Sequence, residues 1–312
     1  VTGVQTCALP ICSAVWMNFP RVICGKWHHE NLVLMGDAAA TGHFSIGSGS
    51  RLAFDSAISL ANYLHSEPSM QEAFERYQDE RRVEVMRLQS AARNSLEWFE
   101  NVERYLGMET IQLNYSLLTR SQRISHENLR ERDPVFVEKA ERWFNKQAGV
   151  DSDRRPIFSP FQLRGMQLKN RIVVSPMAQY KAVDGVVGDW HLVHLGERAK
   201  GGAGLVYTEM TSPSSDGRIT PGCAGIWNDQ QEIAWKRIVD FVHRETDAKI
   251  ALQLGHAGRK GSTCLGWEGD HEPLATGNWP LMAASALSWT PQSQVPREMS
   301  RFDMERVRDE YV

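Results

Sequence analysis

Along the first half of the chain apolar positions recur at helical spacing; along the second they come as short runs separated by amphipathic helices. The run NLVLM, from Asn31 to Met35, reads as a buried strand. A Gly/Ser-rich turn follows at Ile46–Ser50, and a helix is predicted to open near Arg51. Ala53, Ala57, Leu60 and Leu64 would give that helix one apolar face, and Pro68 forbids its continuation. Residues 70–147 read as almost wholly helical, dense in Glu, Arg and Leu, with Trp98, Phe99 and Tyr105 as aromatic anchors. Gly107 is placed to end one helix, and Asp133 as N-cap with Pro134 at the first helical position starts another.

The polar, proline-terminated stretch GVDSDRRP (149–156) reads as a linker. Beyond it strands and helices alternate. NRIVVSPM is a strand, HLVHLGERAKGG a helix, GLVYTEM a second strand, WNDQQEIAWKRIVDFVHRET a long amphipathic helix, and KIALQLGHAG a third strand. Three βα units in series argue for a parallel sheet. Their strands are near-continuous apolar runs with chemistry-bearing residues at their C-terminal ends, which favours part of a (β/α)8 barrel.

Length and composition narrow the class. A chain of 312 residues suggests about two domains. With 42% hydrophobic and 23% charged residues it has the make-up of a globular protein. A net charge of -3 gives no basic footprint for nucleic acid, and no apolar run has a membrane span's length. The five cysteines are scattered without a CxxC pair, so neither a disulfide framework nor a zinc site is expected, and a reducing cytoplasm is the expected setting. His191 and His194 form an HxxH, but no third ligand stands nearby in sequence, so no metal site is expected. Residues 1–12, VTGVQTCALPIC, resemble translated sequencing-adaptor read-through, and both ends of the chain are expected to be cuts.

Two stretches carry candidate chemistry. Asp37, at the end of the first apolar run, can accept hydrogen bonds from ribityl hydroxyls, and the N–H groups near Gly47 and Gly49 can face a pyrophosphate or a flavin ring. The longer string GDAAATGHFSIGSGSRLAFDSA resembles the second flavin fingerprint of the FAD-dependent aromatic hydroxylases. HFSIGSG, AARNSLEWFE and RSQRISHENLRERDP are similar to the salicylyl-CoA or anthraniloyl-CoA monooxygenase branch, and this resemblance covers Val15 to Phe144. Ala40 stands where many relatives place His, and no GxGxxG precedes the region, so an ADP-binding half is missing.

In the second half, Gln253 at a strand end has an amide able to donate to and accept from a pyrimidine edge. LKNRIVVSPMAQY, DGVVGDWHLVHLGERAKGGAGLVYTE, GRITPGCAGIWND and IALQLGHAGRK resemble the old yellow enzyme family, from Ile157 onward. That resemblance implies an FMN lined by Ser175, Pro176, Met177, Ala178, Glu209 and Gln253, with Tyr180 toward the substrate. Ala178 stands where many bacterial relatives carry a flavin-tuning Cys. HAGRK, with His256, Arg259 and Lys260, is expected beside the flavin, and LATGNWPLMAASALSW is expected to be a long loop partly covering the site.

The expected architecture is therefore α/β. Residues 1–12 are set aside, 13–148 form the C-terminal piece of an FAD-dependent hydroxylase fold with a helical tail, 149–156 are the linker, and 157–312 form an incomplete (β/α)8 TIM barrel. The two resemblances in this order imply a fragment of a bifunctional flavin oxidoreductase. It would hydroxylate an aromatic acyl-CoA (anthraniloyl-CoA or salicylyl-CoA) with FAD, O2 and NAD(P)H, and reduce the product by hydride transfer from FMN. Its catalytic residues would lie outside the fragment, and homo-oligomerisation is left open. The alternatives are a non-catalytic truncated gene product and a stand-alone ene-reductase with a helical extension.

Overall fold

The computed structural model describes residues 21–151, 153–269 and 271–312, so the expectation about residues 1–12 lies outside the described residues. The chain divides into two units, Val1–Trp143 and Phe144–Val312. The division falls a few residues ahead of the expected linker. No helix among the described residues is long and apolar enough to cross a membrane.

In the first unit, β1 (His28–His29) and β2 (Leu32–Val33) form a short antiparallel hairpin, His28 opposite Val33. The expected buried strand Asn31–Met35 is thus only two residues long, and Leu32 is 69% exposed. Glu30 turns the chain with φ +51°, so only Val33 and Leu34 of that run reach the core. Gly36–Ala38 and Phe44–Ile46 are single 3-10 turns. Helix α1 spans Gly49–Ser66, opening two residues before Arg51 and ending ahead of Pro68. Its fully buried positions are Leu52, Ser56 and Ser59; of the expected face, Ala53, Ala57 and Leu60 are half-buried, Leu60 against the core, and Leu64 is exposed. Small hydroxyl residues let α1 lie close to α2 (Met70–Glu100), and Ser59 donates to Glu80 of that helix at 3.2 Å.

Ser69 caps α2 by accepting the Glu72 N–H at 3.2 Å. Its buried stripe, Ala73, Tyr77, Arg81, Val85, Gln89 and Ala92, steps by three or four residues and so stays on one face. Trp27, Ala39, Ala40, Leu52, Tyr77 and Val85 make the core of this unit. A 3-10 turn at Val102–Tyr105 precedes Gly107, and helices α3 (Thr110–Thr119) and α4 (His126–Arg132) follow. Helix α5 (Pro134–Gln147) starts as expected, with Asp133 accepting the Phe136 N–H at 3.0 Å.

The second unit opens with an antiparallel hairpin, β3 (Phe161–Leu163) and β4 (Met166–Leu168). Then come β5 (Val173–Val174), α6 (Asp189–Lys200), β6 (Leu205–Ser212), the two-residue β7 (Ala224–Gly225), α7 (Asp229–Glu245) and β8 (Lys249–Leu254). Strand β6 lies between β5 and β8, parallel to both, with Val206 opposite Val174 and Ile250. The three βα units are those expected, though β5 is much shorter than NRIVVSPM because Ser175–Tyr180 leave the sheet. Leu195, Ala199, Val206, Trp235, Ile238 and Val242 bury the helices on the sheet. Gly196 permits this: a Cβ there would come within 2.8 Å of the Phe241 ring. Beyond β8 the chain is mostly irregular, with a parallel pair β9 (Met282–Ala283) and β10 (Arg297–Glu298), and closes with α8 (Arg301–Glu310), capped by Ser300 and Asp303.

Strand β6 carries one irregularity near its C-terminal end. From Tyr207 to Met210 it advances three residues while β8 advances two, from Ala251 to Gln253, which makes a β-bulge. Hydroxyls repair the ladder. The Glu209 carbonyl accepts from Thr208 Oγ1 at 2.9 Å and Thr211 Oγ1 at 3.0 Å, and the Gln253 N–H donates to Thr208 Oγ1 at 3.1 Å.

Candidate functional site

Ser175, Pro176, Met177 and Ala178 follow β5 directly and are exposed. Gln253 lies on β8, also exposed, two strand spacings away across β6, or roughly 10 Å. Both therefore stand at the C-terminal ends of parallel strands, where α/β folds place ligands. Among the described residues no partner engages the Gln253 side-chain amide, which leaves its donor and its acceptor available.

The turn after Ala178 is held from several sides. Gln179 Nε2 donates to the Met177 and Ala178 carbonyls at 3.0 and 3.3 Å, and its Oε1 accepts from Trp190 Nε1 at 2.9 Å. Tyr180 has φ +53°, a left-handed conformation rare for a bulky residue. Its ring meets that of Trp267 edge-on at 6.4 Å, and Lys181 Nζ lies over Trp190 and Trp267 at 5.6 and 5.2 Å.

Glu209 is placed differently from the exposed residues. It is buried, and Oε2 accepts the backbone N–H of Gln179 at 2.9 Å and of Tyr180 at 3.3 Å. Oε1 lies 2.9 Å from His191 Nε2, close but without hydrogen-bond alignment. His191 is thus taken up by a carboxylate on β6 and by the Gly188 N–H, which donates to its Nδ1 at 3.2 Å. Among the described residues no group of three metal-binding side chains converges.

In the first unit Asp37 sits within the 3-10 turn Gly36–Ala38 and lines a cleft of about 580 Å³ with Arg21, His43, Phe44, Gln89 and Arg93. The lining does not include Gly47 or Gly49. Gly47, with φ +62°, closes the turn Phe44–Ile46, and Gly49 is the first residue of α1. The structure therefore brings Ser175–Ala178, Tyr180, Glu209 and Gln253 to one end of one sheet, and packs the turn that holds Asp37 on the helix that Gly49 opens.

Against known families, residues 156–312 match the model of the NADH:flavin oxidoreductase / NADH oxidase family, half of the chain. The chain belongs to that family. An NADH:flavin oxidoreductase of Gibberella zeae is 37% identical over 161 residues, 50% of this chain and 39% of that protein. An NADPH dehydrogenase of a Geobacillus species is 38% identical over 153 residues, 48% of this chain and 41% of that protein. Among solved structures, morphinone reductase matches with 28% identity and a TM-score of 0.42, covering 50% of this chain and 42% of that one. The chain spans about two-fifths of the length of these relatives.

The flavin-oxidoreductase region also has electrostatic features around the candidate site. Burial pushes the His256 ring below its usual range; Nδ1 accepts the Gly258 N–H at 3.0 Å. Burial does the same to His194, with Arg198 adding to it. Burial raises the Cys223 thiol, against the hydrogen bonds from Thr220. Arg259 and Lys260 lie over the Trp289 ring at 5.2 and 4.6 Å, and Arg218 stacks between Trp227 at 5.4 Å and Trp279 at 4.9 Å. Sequence reasoning missed Gln179 and Lys181. Both flank SPMA and Tyr180, and a polar and a cationic residue within an otherwise apolar strand end was the available signal.

Proposed function

We propose that residues 156–312 form the cofactor-holding front of an old-yellow-enzyme-like reductase that uses FMN and NAD(P)H. The observation that carries this is the family match, together with the exposed Ser175–Ala178 segment and the unengaged Gln253 amide at the ends of the two strands that flank β6. FMN would supply hydride transfer between reduced nicotinamide and an electron-poor substrate. Ser175–Ala178 would carry one face of the ring, and Gln253 would read its pyrimidine edge with one donor and one acceptor. Tyr180 would stand on the substrate side. Ala178 offers no thiol, so no sulfur from that position tunes the ring. Glu209 contributes from beneath the turn.

The test is reconstitution of the purified chain with FMN, followed by absorbance and equilibrium dialysis. Gln253→Leu should weaken FMN binding about tenfold or more by leaving a buried flavin edge unpaired. A folded wild-type chain that retains no FMN would sink the reading and favour a non-catalytic product.

A second reading is supported by Asp37 and its cleft. In that reading the first unit is the tail of an FAD-dependent aromatic hydroxylase, fused to the reductase and acting with O2 on anthraniloyl-CoA or salicylyl-CoA. Asp37 would hold ribityl hydroxyls as an acceptor and take no part in proton transfer. FAD titration separates the two readings: the bifunctional protein takes up FAD and FMN at different sites, whereas a stand-alone ene-reductase with a helical extension takes up FMN alone.

A further inference from the structure

A carboxylate as deeply buried as Glu209 needs compensation at both oxygens, and two different elements face them, one with hydrogen bonds and one with an imidazole ring at 2.9 Å. Oε2 takes the Gln179 and Tyr180 N–H groups, and Oε1 faces His191 Nε2 on α6. The side chains of Glu209 and His191 are only 3% and 2% exposed, so neither presents a surface to a ligand. The Gly188 N–H donates to His191 Nδ1, which makes Nδ1 the acceptor and places the ring proton on Nε2, toward the carboxylate.

The bulge in β6 accounts for this aim. One extra residue between Tyr207 and Met210 turns Glu209 toward the loop, and its displaced carbonyl is satisfied by the Thr208 and Thr211 hydroxyls. The effect falls on Tyr180, whose left-handed backbone persists only where its surroundings over-determine it. Glu209 holds its N–H. Gly222 makes room for its carbonyl, since a Cβ there would come within 2.5 Å of that oxygen.

We propose that Glu209, with His191 behind it, is a positioning residue: it fixes the turn Ser175–Tyr180 on which the flavin would lie and aims Tyr180, without itself touching the flavin. This rests on the flavin reading of residues 156–312. Glu209→Gln keeps the shape, but an amide cannot meet N–H donors on both sides. Its oxygen can satisfy the turn or His191, and its NH2 then confronts the other.

The experiment uses the whole chain, with and without FMN. Nitrogen NMR of the histidine rings should show His191 protonated on Nε2 in the unaltered protein. In Glu209→Gln the Gln179 and Tyr180 amides should exchange about tenfold or more faster, and FMN should bind about tenfold or more weakly, with Glu209→Asp recovering part of both. A wild-type ring protonated on Nδ1, or a Gln variant with unchanged exchange at both amides, would overturn the proposal. The ring measurement needs no variant, so it decides even if Glu209→Gln does not fold. A folded wild-type chain without affinity for FMN would end the flavin reading, while the ring and exchange results would still decide whether Glu209 fixes the turn.

Discussion

The two units satisfy their backbones by different means. In the second, β6 pairs with β5 and β8 along a parallel ladder, and a stripe of buried aliphatic and aromatic side chains seals α6 and α7 onto the sheet. In the first, the segment between Arg21 and Ile46 has only the β1–β2 hairpin and a short antiparallel pairing of Val22–Cys24 with Ala39–Thr41, and side chains reaching from the helices add to its support. Gln89 Nε2 donates to the Val22 and Thr41 carbonyls at 3.3 and 2.7 Å, Tyr77 donates to the Leu34 carbonyl at 3.1 Å, and Arg120 and Ser95 donate to the Ser45 carbonyl. A ladder spreads its support over many interchangeable residues, whereas side-chain supports are individually indispensable. An irregular segment can thus be kept in one shape beside a cleft, at the cost of sensitivity to single polar changes.

The contrast can be broken by asking where each unit fails. The largest effect is expected from Ile238→Ala, which opens a cavity in the sheet–helix core and should cost about 2–5 kcal/mol. Hydrogen exchange should show that loss among amides of β6 and β8 and leave those of α2 unchanged; an equal loss in α2 would mean the units unfold together. Gln89→Leu comes next, at about 1–3 kcal/mol, since it removes the Gln89 amide's hydrogen bonds to the Val22 and Thr41 carbonyls without opening a void. Its loss should appear in α1 and α2 only. Tyr77→Phe removes one hydroxyl and should cost about 0.5–1.5 kcal/mol in the same helices.

Acid should separate the units more gently. His194 and His256 are held below their ordinary range by burial, so the folded state binds fewer protons than the unfolded. Their contribution is present above about pH 6.5 and is lost as pH falls toward their folded values. In the first unit, burial would raise the Glu141 carboxyl, but Arg130 at 2.6 Å and His126 at 3.0 Å outweigh it and hold it low. That contribution is lost only as pH falls below about 4.3. Amide exchange followed from pH 8 to 4 should show β8 weakening first; α5 weakening first would contradict the assignment.

The same difference explains what could be read from the amino-acid order. The βα alternation was legible because ladders and amphipathic helices impose periods of two and 3.6, and the strands around Val206 and Ile250 and the helices around Leu195 and Ile238 obey them. Asn31–Met35 has no such period to obey. A turn at Glu30 precedes its apolar run, and Tyr77, dozens of residues away, donates to its Leu34 carbonyl. The buried face of α1 is wider than its apolar residues announce, because Ser56 and Ser59, polar by type, are buried beside the half-buried Ala53, Ala57 and Leu60. At the candidate site, the exposed Ser175–Ala178 and Gln253 were visible as strand-end residues. The burial of Glu209 was not, because it depends on a bulge that no local pattern announces.

That bulge also sets the parity of β6. An uninterrupted strand would send residues of even and odd number to opposite faces throughout, yet Met210, Thr211 and Ser212 follow a count reset by one. Deleting a single residue between Tyr207 and Met210 would therefore remove the bulge and leave Met210 and Thr211 opposite Gln253 and Leu254, on the faces they now occupy. In any alignment of related chains, a one-residue gap at this point amounts to a straightened β6 whose tip keeps its faces and loses the bulge.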